Sequence, residues 1–344
     1  MRKIFFPNKY RKTQIETPYT KLSQNELLDK FKTENWSKMT TDERINTLQE
    51  LENRYALEQN RPVARVEAET VRSLGGSYSN FSNVIRVNVT DLPNNNSFEQ
   101  LDSYYHESRH ASQYQAMKTG KGIDQTTRNM CKVELDGGNY AGQGDDYDMQ
   151  TCEMDSNNTA SQKMLEHSER YKGDANYRTY LKSREEHFEN VNKLCESKRE
   201  YRFERHEKLI KRSQERGTLD KKELAQLESH IEKREIEPVV KQSAELEKKL
   251  HAQNLTLENN IEDKSIKQQH LSEAETSSKR LENPQNNHLS FFEDNGDRNT
   301  KSVNANDQDK HKDFFESNGN IDKSENKEKS SSQAISNGNE NAII

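Results

Sequence analysis

The chain contains the pentapeptide His106-Glu107-Ser108-Arg109-His110, which matches the pattern His-Glu-x-x-His. On a helix, residues four apart lie one turn from each other on the same face. The imidazoles of His106 and His110 can therefore reach one metal ion, while Glu107, rotated by ~100° around the helix axis, can hold a water at that ion. The pattern thus predicts two metal ligands and one catalytic base, Glu107.

This set of side chains suits the hydrolysis of a peptide bond with the help of zinc. A catalytic Zn²⁺ has three protein ligands and one open position, and it lowers the pKa of the water there towards ~7. Glu107 can take the proton of that water and pass it to the leaving amine. The sequence therefore predicts Zn²⁺ as the cofactor and a peptide or protein as the substrate.

The third zinc ligand has to come from a different segment. Glu153 is the first choice because it lies near the start of the next predicted helix, and Asp155 is the second. His167, about four turns further along that helix, is the remaining candidate. Three tyrosines are candidates for stabilising the oxyanion of the transition state: Tyr140, Tyr147 and Tyr171.

Regular elements are predicted upstream of the pentapeptide. Thr40 and Glu43 form a capping box for a helix that stops before Pro62. Gly75-Gly76 favours the turn of a β-hairpin, and Val84–Val89 is rich in the β-branched residues that strands prefer. We therefore expect a helix followed by a hairpin before the motif.

The pentapeptide itself lies in a predicted helix over residues 97–118, which Ser97 caps and Gly120 stops. Residues 119–147 carry six of the 13 glycines and are predicted to form a long, loose connection. A further helix is expected to begin near residues 148–152 and to run past the last candidate ligand. The two predicted helices carry all the candidate metal ligands.

Several short motifs along the first half of the chain resemble those of one enzyme family. They are, in chain order, Trp36, Arg61-Pro62, Gly75-Gly76, His106–Ala111 with Gln113, and Glu153-Met154-Asp155-Ser156. The set resembles the zincin metallopeptidases whose third ligand is a glutamate, the gluzincin-like branch, in particular small bacterial members associated with mobile elements and secreted effectors. The resemblance covers about residues 30–170, and Ser156 stands where alanine is usual in these proteins.

The resemblance implies an α+β fold, a zincin-like domain with a short antiparallel sheet beside two site helices. It also implies that His106, His110 and Glu153 bind zinc and that Glu107 is the catalytic base. In such folds the strand before the motif helix often lies at the edge of the sheet and pairs with an extended substrate. Val84–Val89 is therefore the expected substrate-binding edge.

The composition divides the chain into a domain and more polar parts. Only 29% of its 344 residues are hydrophobic and 33% are charged, which is too polar for one core over the whole length. We expect an N-terminal arm over residues 1–20 and a zinc metallopeptidase-like domain over 21–175. A charged helical or coiled-coil extension is expected over 176–262, and a disordered low-complexity tail over 263–344.

The same features limit the classes of partner. The 53 basic and 59 acidic residues give a net charge of −6, so no basic excess indicates nucleic-acid binding. No apolar run approaches the ~20 residues that cross a membrane, and the three cysteines form no disulfide framework. These observations predict a cytoplasmic protein, or one that is secreted by a leaderless route.

The polar half of the chain also supports a different function. The tail repeats a short motif, with Phe291-Phe292-Glu293 echoed by Phe314-Phe315-Glu316, and such motifs can dock a partner protein. The helical extension can hold a partner as well. The leading hypothesis is therefore a zinc metallopeptidase, and the alternative is a helical interaction or scaffold protein whose metal site is structural or vestigial.

Overall fold

The computed structural model of the protein describes the residue ranges 14–69, 75–90, 96–136, 138–235 and 237–281. Side chains are described up to residue 259. The repeated Phe-Phe-Glu motif, and the predicted tail from residue 282 onwards, lie outside the described residues.

The described part of the chain forms twelve helices and three strands. The helices are α1 Gln24–Asp29, α2 Thr33–Trp36, α3 Thr41–Glu58, α4 Ser97–Thr119, α5 Gln125–Glu134, α6 Asp145–Asp148, α7 Thr151–Glu166, α8 Ser168–Tyr171, α9 Ala175–Ser197, α10 Arg199–Arg216, α11 Lys221–Glu232 and α12 Pro238–Leu281. The strands are β1 Arg65–Ala68, β2 Gly76–Ser79 and β3 Val84–Val87. The fold is therefore mostly helical, with one small sheet.

The sheet is mixed and has the strand order β1-β3-β2. β2 pairs with β3 antiparallel, as the predicted hairpin requires, whereas β1 pairs with β3 in parallel, with Val66 opposite Ile85. The expectation of a purely antiparallel sheet was wrong, and so was the expectation that Val84–Val89 forms an edge. β3 is central because its apolar side chains are buried almost without interruption, as befits a covered inner strand.

The turn of the hairpin follows β2 and does not lie at Gly75-Gly76. Residues 80–83 connect the two strands, and Asn83 adopts the left-handed region with a φ of 52°. Gly76 begins β2, and a Cβ atom there would lie only 2.9 Å from Glu107 Cγ. This glycine is thus needed for the close approach of the strand to the motif helix, not for the turn.

The two predicted site helices are α4 and α7, which pack against each other. α4 begins after Asn96, whose side chain accepts hydrogen bonds from two N–H groups of the first turn, so Asn96 and not Ser97 is the N-cap. Gly120 ends α4 with a φ of 71°, as predicted. α7 begins at Thr151 and is shorter than predicted, since it ends one residue before His167.

The glycine-rich connection contains a helix that was not predicted. α5 begins after Asp124, whose side chain accepts a hydrogen bond from the N–H of Thr127. α5 packs against both α4 and α7. Residues 119–147 are therefore not one loose loop, and the expectation of such a loop was wrong.

Two of the helices after residue 175, α9 and α12, pack onto the same core as the site helices, while α10 and α11 form a second apolar cluster with α5. Tyr177, Tyr180 and Leu181 of α9 and Leu250 of α12 belong to the apolar cluster that also includes the aromatic residues of α4. The described residues up to Lys267 belong to one compact unit. The predicted boundary at residue 175 does not coincide with a gap in the packing, because the sparse apolar positions of α9 face this core.

Both ends of the described chain contain structure that the predicted arm and disordered tail did not include. Within the predicted arm, the N–H of Ile15 donates to Asn53 Oδ1 of α3. α12 continues to Leu281, so residues 263–281 of the predicted tail are helical.

Among the helices that the structure describes, none combines the length and the apolar composition that a bilayer crossing requires.

Candidate metal centre

The motif helix is fixed at its middle by a buried ion pair. Arg61 and Glu52 meet in two N–O contacts of 2.6 and 2.8 Å. Ser108, halfway between the two histidines, accepts from Arg61 Nη2 and donates to Glu52 Oε2. Glu52 also accepts hydrogen bonds from the Tyr104 hydroxyl and the Ala64 N–H, so the buried charges are fully paired. This network holds α3, the approach to β1 and α4 in one arrangement.

α4 presents His106 and His110 side by side, and their Nε2 atoms lie 3.1 Å apart. Glu153, from the first turn of α7, completes a triangle. Its Oε2 is 3.1 Å from His106 Nε2, and its Oε1 is 3.3 Å from His110 Nε2. In the part of the chain that the structure describes, these three side chains form the one group of His, Cys, Asp or Glu whose ligand atoms all lie within 4.8 Å of one another. We call this group the metal centre.

The spacing of the three ligand atoms suits a small divalent ion. Ligand atoms ~2.0–2.1 Å from a tetrahedral ion are ~3.4 Å apart. The two Nε2 atoms are 3.1 Å apart, His106 Nε2 is 3.1 Å from Glu153 Oε2, and His110 Nε2 is 3.3 Å from the other oxygen, Oε1. Imidazole nitrogen and carboxylate oxygen are also donors that zinc and other first-row metals accept. The metal centre could therefore hold a metal ion.

Glu153 is fully buried and is held by a hydroxyl group. The hydroxyl of Tyr140 donates to Glu153 Oε1 over 2.9 Å, and the ring of Tyr147 packs edge-on against Tyr140. Burial raises the pKa of Glu153, but the charges of His110 and His106 outweigh burial and hold the pKa well below its usual range. The carboxylate is therefore ionised and oriented, as a metal ligand needs to be.

Gln113 orients the second histidine. Its Oε1 lies 2.8 Å from His110 Nδ1, while its Nε2 donates to Cys152 O and to Asp155 Oδ2. An amide oxygen can only accept, so Nδ1 of His110 carries the proton and donates it. Nε2 then faces Glu153 and is free to bind a cation. In the sequence, Gln113 was noted only as part of the family resemblance. Its position about one helical turn after His110 was the signal that could have indicated its contact with this histidine.

The other candidates for the third ligand lie in different surroundings. Asp155 forms a two-pronged ion pair with Arg109, with N–O distances of 2.7 and 2.9 Å, so both of its oxygens are occupied. His167 follows the far end of α7, where its Nε2 lies 3.2 Å from the Tyr105 hydroxyl. Tyr171, one of the predicted oxyanion donors, instead donates to a backbone carbonyl of α1. Of the predicted tyrosines, Tyr140 and Tyr147 are therefore at the metal centre and Tyr171 is not.

Glu107 lies beside the metal centre and close to strand β2. Its side chain is adjacent to Gly76, and only 8% of the residue is exposed. Burial raises the pKa of Glu107, an effect that the two nearby histidines reduce and do not cancel. A carboxylate with a raised pKa accepts a proton more readily than a free glutamate does.

The charges of the site leave room for a cation. With both imidazoles neutral, Glu107 and Glu153 contribute two negative charges, which one divalent ion balances. Burial lowers the pKa of His110, but Glu153 and Glu107 outweigh burial and raise the pKa to about 9. A proton on His110 therefore competes with a metal ion for the same ring.

Comparison of the chain with protein-family models, with curated proteins and with solved structures gave no match. The residues of the site alone therefore bear on its function: the side chains of His106, His110 and Glu153 converge, and the buried carboxyl of Glu107 lies beside them.

Proposed function

We propose that the chain is a zinc-dependent peptidase with a zincin-like catalytic centre. The observation that carries the proposal is the convergence of His106, His110 and Glu153 from two helices, with Glu107 directly beside them. Glu153 lies 47 residues after His106 in the chain, yet its Oε2 is 3.1 Å from His106 Nε2. An accidental His-Glu-x-x-His sequence does not explain this contact. Glu107 is only 8% exposed, so it is not a solvated surface residue.

The donor set supports a catalytic rather than a structural ion. Structural zinc sites usually have four protein ligands and are rich in cysteine, whereas catalytic sites have three ligands and an open position. The metal centre offers two histidines and one glutamate, which is a catalytic set. A bound Zn²⁺ would polarise the scissile carbonyl and make the attacking water more acidic.

The side chains around the ion divide the remaining work. Glu107 takes the proton of the attacking water and delivers it to the leaving amine. Gln113 keeps His110 in the tautomer that binds metal, and Tyr140 keeps Glu153 in place. Because these groups are already held before substrate arrives, little reorganisation is needed during the reaction.

The substrate in this proposal is an extended peptide that adds to β2. β2 is terminal in the strand order and passes directly beside Glu107. Backbone hydrogen bonds along a terminal strand would align the scissile bond with the base. The absence of a side chain at Gly76 allows that approach.

The test is the Glu107→Gln variant of the full chain, compared with Glu99→Gln as the matched control. Both residues lie on α4, and burial raises the pKa of Glu99 to about 7, so the control also alters a partly buried carboxyl. We expect Glu107→Gln to lower hydrolysis of a denatured protein mixture roughly 10²–10⁴-fold, the usual contribution of a general base. Zinc content should stay at one ion per chain in both variants.

Cleavage products are identified by mass spectrometry in this experiment. The proposal predicts wild-type activity in Glu99→Gln. Full activity of Glu107→Gln would contradict the role of Glu107 as the base.

One observation favours a second candidate, a scaffold protein with a structural metal ion. The centre is nearly closed, since the side chain of His106 is 12% exposed, Glu153 is fully buried and Glu107 is 8% exposed. A change in the absorption spectrum of the Co²⁺-loaded protein on addition of a peptide hydroxamate would support the peptidase, because the ligand needs an open position. An unchanged spectrum would support the scaffold.

A further inference from the structure

A second group of buried charges lies at the start of α7, the helix that carries Glu153. It consists of Glu134 of α5, Arg202 and His206 of α10, and Glu237, which precedes α12. We call it the Arg202 cluster. Each of its members is 5% exposed or less. Charges this deeply buried persist only where they are paired, so the cluster must be stable as a unit.

The cluster joins three separate segments through His206. Its Nδ1 lies 3.2 Å from Glu237 Oε1 and its Nε2 lies 3.5 Å from Glu134 Oε1. These contacts are ion pairs that are not aligned as hydrogen bonds. Arg202 Nη1 donates to the other oxygen of Glu237 over 3.0 Å.

The charges of the cluster balance without any further ion. Burial lowers the pKa of His206, but Glu134 and Glu237 outweigh burial and raise the pKa above its usual value. The protonated imidazole and the guanidinium of Arg202 then match the two carboxylates.

Glu134 connects the cluster to the helix that carries the third metal ligand. Its two oxygens accept the backbone N–H groups of Thr151 and Cys152 over 2.9 and 3.0 Å. These are the first two residues of α7, and Glu153 is the third. The side chain of the N-cap residue Gln150 makes no capping hydrogen bond. Glu134 therefore accepts from the otherwise unpaired N–H groups of this helix end, and its negative charge is stabilised by the positive end of the helix dipole.

A second contact fixes the chain just before α7. Arg202 Nε donates to the backbone carbonyl of Met149 over 3.2 Å. α10 therefore holds both sides of the point at which α7 starts, one side through Met149 and the other through Glu134. The direction in which Glu153 leaves the helix depends on this start.

We infer that His206 is a positioning residue of the metal centre, which holds Glu134 against the first turn of α7 and thereby fixes the place of the Glu153 carboxylate. The inference rests on the metal centre of the proposed function and adds a dependence on α10 and on the start of α12. These segments belong to the part of the chain that the composition had predicted to be a separate extension. In this account they are required for tight metal binding.

The test uses the full chain with His206→Gln, and His230→Gln as the matched control. His230 of α11 is also buried, at 6% exposure, and its ion pair is with Glu235 and not with a residue that contacts the first turn of α7. Three properties are measured: zinc affinity by competition with a chromophoric chelator, the Co²⁺ absorption spectrum, and amide hydrogen exchange of Thr151 and Cys152 without added metal.

We expect His206→Gln to weaken zinc binding roughly tenfold, the lower end of the cost of losing a direct outer partner of a metal ligand, because His206 acts through Glu134. The Co²⁺ spectrum should shift, and both amides should exchange faster. His230→Gln should change none of the three. A role in stability alone would lower the melting temperature of His206→Gln and leave the Co²⁺ spectrum of the folded protein as it is.

Wild-type affinity and amide exchange in a folded His206→Gln variant would overturn the inference. If that variant does not fold, Glu134→Gln decides, because it keeps one acceptor for the helix end and loses the second acceptor and the charge. A folded Glu134→Gln with wild-type zinc affinity would equally overturn the inference. A protein that binds zinc and cleaves no peptide contradicts the proposed function but leaves this inference standing.

Discussion

The metal centre and the Arg202 cluster are built from the same types of side chain, yet their charges balance differently. In the Arg202 cluster, one imidazole and one guanidinium match two carboxylates. At the metal centre, two imidazoles that are neutral when they bind metal face Glu153 and Glu107. The Arg202 cluster contains a guanidinium, whose charge is permanent, whereas positive charge on the two imidazoles of the metal centre is a proton that a metal ion can displace. Burial of histidine beside glutamate therefore does not by itself define a metal site, and the type of cation that faces the carboxylates separates the two groups.

The largest effect is expected when the metal centre loses its carboxylate. Glu153→Ala should lower zinc affinity roughly 10²–10³-fold, because a binding free energy of ~10 kcal/mol shared among three ligands is ~3 kcal/mol for each. Glu166→Gln, at the other end of α7, is the matched control and should bind zinc normally. Calorimetric titration with zinc measures both. Equal zinc affinity in Glu153→Ala and Glu166→Gln would show that Glu153 is not a metal ligand. The metal centre would then not differ from the Arg202 cluster in metal binding.

The next largest effect is expected from the residue that orients His110. Gln113→Ala should weaken zinc binding roughly 10–100-fold, since it removes the acceptor of the Nδ1 proton. Gln115→Ala, two residues further along α4, serves as the control. Chelator competition gives the two affinities, and a loss shared by both variants would show that helix stability, not orientation, is responsible.

The pH dependence of zinc binding should come third. The pKa of His110 is raised to about 9, so this imidazole carries a proton at neutral pH that zinc must displace. Zinc affinity should therefore rise roughly tenfold per pH unit between pH 6 and pH 8. Titration in buffers of different ionisation enthalpy counts the released protons. Binding that is independent of pH would argue against His110 as a ligand.

The smallest effect is expected at the Arg202 cluster, and it concerns stability. The pKa of His206 is raised in the folded chain, so protonated His206 stabilises the fold below its unfolded pKa of ~6.5. That contribution is lost as the pH rises through the folded pKa. Urea unfolding should therefore show that His206→Gln costs more stability at pH 6 than at pH 9. A cost that is the same at both pH values would mean that His206 is neutral.

The metal centre was largely predictable because its signals are local. The capping box at Thr40 and Glu43 is present, Gly120 ends the motif helix, and the histidine pair needed only helical spacing. Glu153 followed from an acidic residue at the start of the next helix. Each of these depends on a few neighbouring residues and on the geometry of one helix.

The supporting network was not predictable because it depends on contacts between distant segments. Glu134 lies on α5, which the glycine content of residues 119–147 concealed, although Asp124 was a readable cap. The burial of α9 was missed because Tyr177 and Tyr180 bury their rings while their hydroxyls donate to Met164 O and to Asp102. A tyrosine stripe among charged residues was therefore the available signal.

The arrangement of the sheet was missed for a similar reason. β1 has only four residues and pairs in parallel with a strand that follows it by 19 positions in register. Nothing in so short a stretch distinguishes a parallel edge strand from a loop. Only the apolar run of β3 indicated a covered strand, and that pointed to a central place rather than an edge.

The most direct test of the account is X-ray absorption at the zinc edge on the full chain with one equivalent of Zn²⁺. The account predicts one ion per chain, two imidazole nitrogens and oxygen ligands at ~2.0–2.2 Å, and no sulfur. A sulfur ligand at ~2.3 Å, or a spectrum without imidazole scattering, would contradict it.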